Sequence, residues 1–145
     1  MENFARTLGI ENRTLFVGNV DQDWLARVIP LASVVVSPHT GPALSETALG
    51  GVPIVAYDVD WQGELIKTGV TGELVPHGDY DAMAKSVELY LNNQIYAQKM
   101  GDAVRKRCSE MMNTTALNNH EREQYLKVIT MNNQKSSFGS KSAFR

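Results

Sequence analysis

A carboxylate, Glu46, follows closely on a turn of small residues, Thr40-Gly41-Pro42-Ala43-Leu44. Pro42 fits the first position of a helix, where its missing N–H costs nothing. Thr40 or Gly41 then supplies the N-cap. The amides of Ala43 and Leu44 are expected to be free at that helix start, where dipole and N–H donors together suit an anion, above all a phosphate. Glu46, expected in the first turn, is within reach of sugar hydroxyls beside such a phosphate. Together these residues suggest a nucleotide site at the carboxyl ends of a parallel sheet. The plainer reading stays beside it: Gly41 answers a need for positive φ, Pro42 starts a helix, and Glu46 is an acid favoured near a helix N-terminus.

Other polar residues carry weaker signals. His39 could donate to a sugar hydroxyl as a neutral imidazole, or be a surface histidine. Asp58, Asp60 and Glu64 either touch a ligand or form a solvated rim, and Trp61 is a sugar platform or a lid anchor. His77 and His120 have no partners at metal-ligand spacing, and both are expected in solvent. Ser37 and Ser45 lack the His/Asp arrangement that would make either a nucleophile.

The elements that position these residues are legible as apolar runs. Thr14–Val17, Ser33–Ser37, Pro53–Tyr57 and Gly72–Val75 read as buried parallel strands, without polar alternation. Between them fall a short helix capped by Asp21 or Asp23 and ending near Pro30–Ala32, a helix from Pro42 to Leu49 stopped by Gly50-Gly51, and a turn at Gln62–Lys67. This alternation predicts an α/β, doubly wound parallel sheet. Gly18, Asn19 and Val20 follow the first run and either line a base pocket through their backbone or form a plain strand-end turn.

Beyond Gly78 the pattern is helical. Asp79 caps a helix with an apolar face of Met83, Ala84, Val87, Tyr90 and Leu91, and Asn92-Asn93 breaks it. A second helix carries Tyr96, Met100, Ala103, Val104, Cys108 and Met111; Asn113-Thr114-Thr115 restarts a third through Leu117, Tyr125, Val128 and Ile129. Residues 1–131 are expected to form the folded part. Residues 132–145, rich in Ser, Asn and Lys, read as a disordered tail.

Composition excludes several classes. The chain has 145 residues, a 43% hydrophobic content and a formal charge of −2, which suits one globular domain and gives no electrostatic footprint for nucleic acid or anionic membrane. One cysteine, Cys108, allows no internal disulfide and fits a reducing compartment. Met1–Arg6 has no apolar core of a signal peptide, and the longest apolar run, Val28–Val36, is broken by Pro30 and Ser33. A cytoplasmic location is expected.

Several segments in order resemble a known family. Glu46-Thr47-Ala48-Leu49-Gly50-Gly51-Val52-Pro53-Ile54-Val55-Ala56 is similar to the second glutamate and following residues of the donor-binding half of retaining GT-B glycosyltransferases (group 1). Glu64-Leu65-Ile66, then Gly69-Val70-Thr71-Gly72-Glu73-Leu74-Val75-Pro76 and Gly78-Asp79, continue it, and Arg13–Val20 resembles the strand-and-glycine element upstream. The resemblance covers roughly Leu8 to Leu91. It implies the Rossmann-like parallel sheet of the GT-B C-terminal domain, partial, followed by C-terminal helices. It also implies transfer of a hexose from a nucleotide sugar, UDP-linked, to a saccharide or lipid-linked acceptor.

On that resemblance Glu46 holds the ribose hydroxyls, the Thr40–Leu44 turn faces the diphosphate, and no metal or other cofactor is needed, the nucleotide sugar being substrate. Pro38, His39, Thr40 and Gly41 stand where the family's first glutamate and its glycines would be, so sugar selectivity does not carry over. Two strands of the donor half and the whole acceptor half have no counterpart here. The implied partner is an acceptor-half domain or chain, with peripheral membrane attachment possible in a full-length enzyme. The isolated chain is expected to be inactive. An exposed sheet edge is expected to favour homo-oligomers. Three alternatives stand: a separate donor-half subunit, a UDP-sugar 2-epimerase-like isomerase, and a non-catalytic remnant.

Overall fold

The computed structural model describes residues 1–39 and 41–139. In chain order the elements are α1 (Glu2–Thr7), α2 (Gln22–Val28), β1 (Val35–Ser37), α3 (Pro42–Gly50), β2 (Ile54–Tyr57), α4 (Gln62–Leu65), β3 (Glu73–Val75), α5 (Tyr80–Asn92), α6 (Gln94–Met111) and α7 (Thr114–Gly139). The strands form a three-stranded parallel sheet in the order β1-β2-β3, with Val36 opposite Val55 and Ala56 opposite Leu74. The fold is therefore α/β, a partial Rossmann-like parallel sheet followed by C-terminal helices.

The central strand explains the apolar run. Every residue of β2 is buried. Ile54 and Ala56 pack with Leu44 and Ala48 of α3, Leu65 of α4, and Val104 and Cys108 of α6. Val55 and Tyr57 point to the other face, against Val75, Met83 and Tyr90, and Ala97 and Met100 of α6. A strand covered on both faces has no solvent side to mark with polar residues. Each such aliphatic side chain contributes about 1.5–3 kcal/mol. A charged residue at Val55 would collapse this layer.

Local capping fixes the helix starts. Asp21 Oδ1 accepts from Trp24 N–H at 2.8 Å, Asp79 Oδ1 from Ala82 at 2.9 Å, Asn93 Oδ1 from Tyr96 at 3.0 Å and Asn113 Oδ1 from Ala116 at 3.1 Å. Each cap is worth about 1 kcal/mol. Asn93 both ends α5 and begins α6. Gly51 ends α3 in the left-handed region, φ 71° and ψ 29°, where glycine carries no Cβ penalty.

Two expectations change. Thr14–Val17 is not a strand: no described strand pairs with it, and Leu15 is 84% exposed. A run of β-formers without an edge to join remains an extended loop. On α5 the buried face runs through Met83 and Tyr90, while Ala84 and Leu91 are exposed. On α7, Leu117, Tyr125, Val128 and Ile129 are all exposed, so this helix has no apolar contact in the core of this chain. The backbone of α7 also stays helical to Gly139, into the segment whose composition suggests a tail; residues 140–145 lie outside the described residues.

At the amino end of the strands, Tyr96 Oη donates to Glu73 Oε1 at 2.8 Å and stacks on Tyr90 with ring centroids 5.7 Å apart. Burial, then the neighbouring Glu73 charge, pushes the Tyr90 phenol well above its ordinary range. Burial also raises Tyr96, reinforced by its hydrogen bond to Glu73. This cluster stands at the opposite end of the sheet from the site considered next.

Candidate functional site

Strand β1 ends at Ser37, and the chain passes through Pro38 and His39 to Gly41 and the start of α3 at Pro42. In a parallel sheet this is the carboxyl end, where open α/β folds bind ligands. Pro42 occupies the first turn with Gly41 as N-cap, and no side chain among the described residues caps the start. Gly41 is extended, φ 160° and ψ 177°, so the expected positive-φ turn is not what places glycine there. A Cβ on Gly41 would meet nothing within 4 Å. Thr40 lies outside the described residues.

The two expected amide donors differ. Leu44 N–H is already spent on the Gly41 carbonyl at 3.2 Å, because the first turn of α3 is tight. Ala43 N–H belongs to the first helical turn, whose amides have no intrahelical acceptor. The Leu44 side chain is 1% exposed and serves the core.

Glu46 is not in the first turn. With Gly41 as N-cap it stands one turn further in, half-buried. Its Oε1 accepts a hydrogen bond from Gln22 Nε2 at 2.9 Å. That bond joins the start of α2 to the middle of α3. Gln22 follows Gly18, Asn19 and Val20 by a few residues, so it brings the loop they form toward Glu46. Gly18 adopts φ +65°, a turn conformation, and a Cβ there would also meet nothing within 4 Å.

Two grooves meet at Glu46. An open groove of about 560 Å³ is bounded by Gly41, Pro42, Glu46, Leu49, Trp61 and Met112. A second, of about 390 Å³, lies between α2 and α3, with Gln22, Leu25, Ile29 and Arg105 among its walls. Trp61 is half-buried against the α3-side core and still lines the first groove. In the same loop Asp60 has φ 48°, a strained conformation for a side-chain-bearing residue. Asp58, Asp60, Glu64 and His39 are exposed. The Ser37 hydroxyl donates to the His39 carbonyl at 3.1 Å. His77 and His120 are also exposed.

Three residues here escaped sequence reasoning. Gln22 lies 24 positions from its partner, and nothing local signals the contact. Arg105 of α6 donates through Nε to the Leu49 carbonyl at 3.1 Å and through Nη2 to the Gly50 carbonyl at 2.6 Å, closing the far end of α3. Gln62 is 0% exposed, and neither atom of its amide has a partner among the described residues. Among the described residues no His/Cys/Asp/Glu group of three could hold a metal ion, and no helix is long and apolar enough to cross a membrane.

A three-stranded parallel sheet flanked by helices and followed by C-terminal helices defines a Rossmann-like α/β class of fold. The sequence match narrows the class: the family model of glycosyl transferases group 1 matches residues 1–107, and the chain belongs to that family. It is 31% identical over 107 residues to a phosphatidyl-myo-inositol mannosyltransferase of Mycobacterium leprae (strain TN), covering 68% of this chain and 29% of the relative. It is 27% identical over 106 residues to an alpha-D-kanosaminyltransferase of Streptomyces kanamyceticus, covering 70% and 28%. The chain thus spans less than a third of these relatives. Among solved structures, sucrose-phosphate synthase from Thermosynechococcus elongatus superposes with TM-score 0.76 at 25% identity, over 90% of this chain and 34% of that one. Anabaena HepE, solved with UDP-glucose, shares the fold with TM-score 0.74 at 21% identity, over 86% and 35%.

Proposed function

We propose that this chain is the donor-binding portion of a glycosyltransferase that transfers a hexose from a UDP-linked sugar to a saccharide or lipid-linked acceptor. The observation that carries the reading is Glu46: a half-buried carboxylate, held by Gln22, between two grooves and one turn from the start of α3. A ribose diol donates two hydrogen bonds, and a carboxylate accepts them. The diphosphate would lie toward Gly41 and the Ala43 amide. There a fixed N–H group and the helix dipole stabilise the charge that grows as the sugar departs. Gly41 and Gly18 leave room for close approach, and Gly18, Asn19 and Val20 would flank the base.

Relatives named as a mannosyltransferase and a kanosaminyltransferase support sugar transfer, and a structural neighbour solved with UDP-glucose supports a uridine donor. The acceptor would be positioned by a half outside this chain, so the chain alone would turn nothing over. A second reading, a separate subunit that docks on an acceptor-half partner, is favoured by the exposed Leu117, Tyr125, Val128 and Ile129 of α7.

Titration calorimetry with UDP tests the proposal. The chain should bind UDP in preference to inorganic phosphate, and Glu46→Ala should weaken binding about 10- to 100-fold, as loss of charge-assisted hydrogen bonds does. Equal UDP affinity in the variant would remove Glu46 from the site and the reading with it.

A further inference from the structure

We propose that Gln22 is a positioning residue of this site, fixing Glu46 for the ribose diol and locking the Gly18–Val20 loop to α3; the inference rests on the nucleotide reading above. The geometry is specific. Gln22 Nε2 donates to Glu46 Oε1 at 2.9 Å, across 24 residues and between two helices. A free glutamate on a helix surface samples several rotamers, and ordering it on binding costs affinity. Holding one oxygen removes part of that cost beforehand. A carboxylate has about four lone-pair positions, so one bond from Gln22 leaves Oε2 and a second site on Oε1 for two ribose hydroxyls.

The second consequence concerns the loop. Asp21 caps α2 through Trp24 N–H at 2.8 Å, so Gln22 is the first residue of a helix whose start is fixed. Gly18, Asn19 and Val20 run directly into that cap. Thr14 to Gly18 is irregular and Phe16 and Val17 are exposed, so the sheet itself does not secure this segment. Gln22 therefore couples the two places where a nucleoside would be gripped, base side and ribose side.

The test is Gln22→Met, which keeps length and removes the donor, measured on the 145-residue chain with UDP and with 2′,3′-dideoxy-UDP. The expected result is about a five- to tenfold loss for UDP, the size of one hydrogen bond, and a smaller loss for the dideoxy analogue, which presents no diol to Glu46. In a Glu46→Ala background the same substitution should cost nothing further on the ribose side, because residues acting through one another are non-additive. Gln22→Met should also speed amide exchange in residues 18–28 without ligand. Equal losses for both ligands would make Gln22 a general support for the fold, and unchanged UDP affinity would remove it from the site; either overturns the proposal. If the wild-type chain binds no UDP, the nucleotide reading itself fails, a result distinct from an unaltered Gln22 variant.

Discussion

Gly101 of α6 lies directly against the carbonyl of Gly51, the residue that ends α3. A Cβ at position 101 would overlap the Gly51 oxygen and lie 3.4 Å from the Pro53 nitrogen. The contact lets α6 cross the α3–β2 connection at backbone distance and bring Val104 and Cys108 into the core beside Ile54 and Ala56. Elsewhere in a helix, Gly→Ala gains about 1 kcal/mol from propensity. Here Gly101→Ala should instead destabilise the chain by about 1–3 kcal/mol, the cost of overpacking. Urea unfolding decides it; a variant as stable as the wild type would show that α6 can move away freely.

Arg105 should matter for a different reason. Its guanidinium satisfies two carbonyls at the end of α3 and places a positive charge where the helix dipole is negative. Arg105→Ala should cost about 1–2 kcal/mol. Arg105→Lys should recover only part of that, because a single ammonium lacks the fork that meets Leu49 and Gly50 together. Comparison of the two variants by chemical denaturation checks the fork.

The tyrosine cluster predicts an alkaline limb in stability. Unfolded tyrosine titrates near 10.0, and Tyr90 and Tyr96 titrate higher in the folded chain. Below that value both states are protonated and the contribution is complete. Above it the unfolded state releases protons that the folded state keeps, so stability falls as pH rises. Tyr90→Phe should flatten this decline between about pH 9 and pH 11. At neutral pH it should be neutral or slightly stabilising, because the Tyr90 hydroxyl is buried with no partner among the described residues. Thermal melts across that range give the slope. An identical slope in the variant would assign the loss to other groups.

Strand β1 forms one edge of the sheet, and Val36 on it is 44% exposed. An unpaired parallel edge with apolar side chains beside it invites pairing with another copy. Light scattering should show the mean mass rising with concentration, and Val36→Lys should suppress the rise. A monomer at every concentration, with and without lysine, would mean that the edge is protected by other means.

What was legible in the sequence divides along a physical line. Caps were legible where a side chain bonds to backbone three residues ahead, as at Asp79 and at Asp21, one of two candidates for its helix. The buried β2 was legible because both its faces are covered and its residues are uniformly apolar. Thr14–Val17 has the same composition, yet a strand needs a neighbour, and composition cannot supply one. Near the site, the helix start at Pro42 was visible. Glu46 stands one turn further in with either Thr40 or Gly41 as the cap, so its expected place in the first turn was a miscount and not a limit of the sequence. Gln22, Arg105 and Gly101 act across long sequence separations. Their partners become neighbours only after the chain has folded.

The shared use of Asn93 has a consequence for how this chain tolerates change in length. One residue closes α5 and opens α6, in a single conformation at φ −138° and ψ 82°. That corner has no slack. An added residue would turn α6 about its own axis by about 100° and carry Gly101, Arg105 and Cys108 off the faces they serve. Insertions, fusion joints and labels belong outside this corner, in exposed loops with residues to spare before the next packed helix.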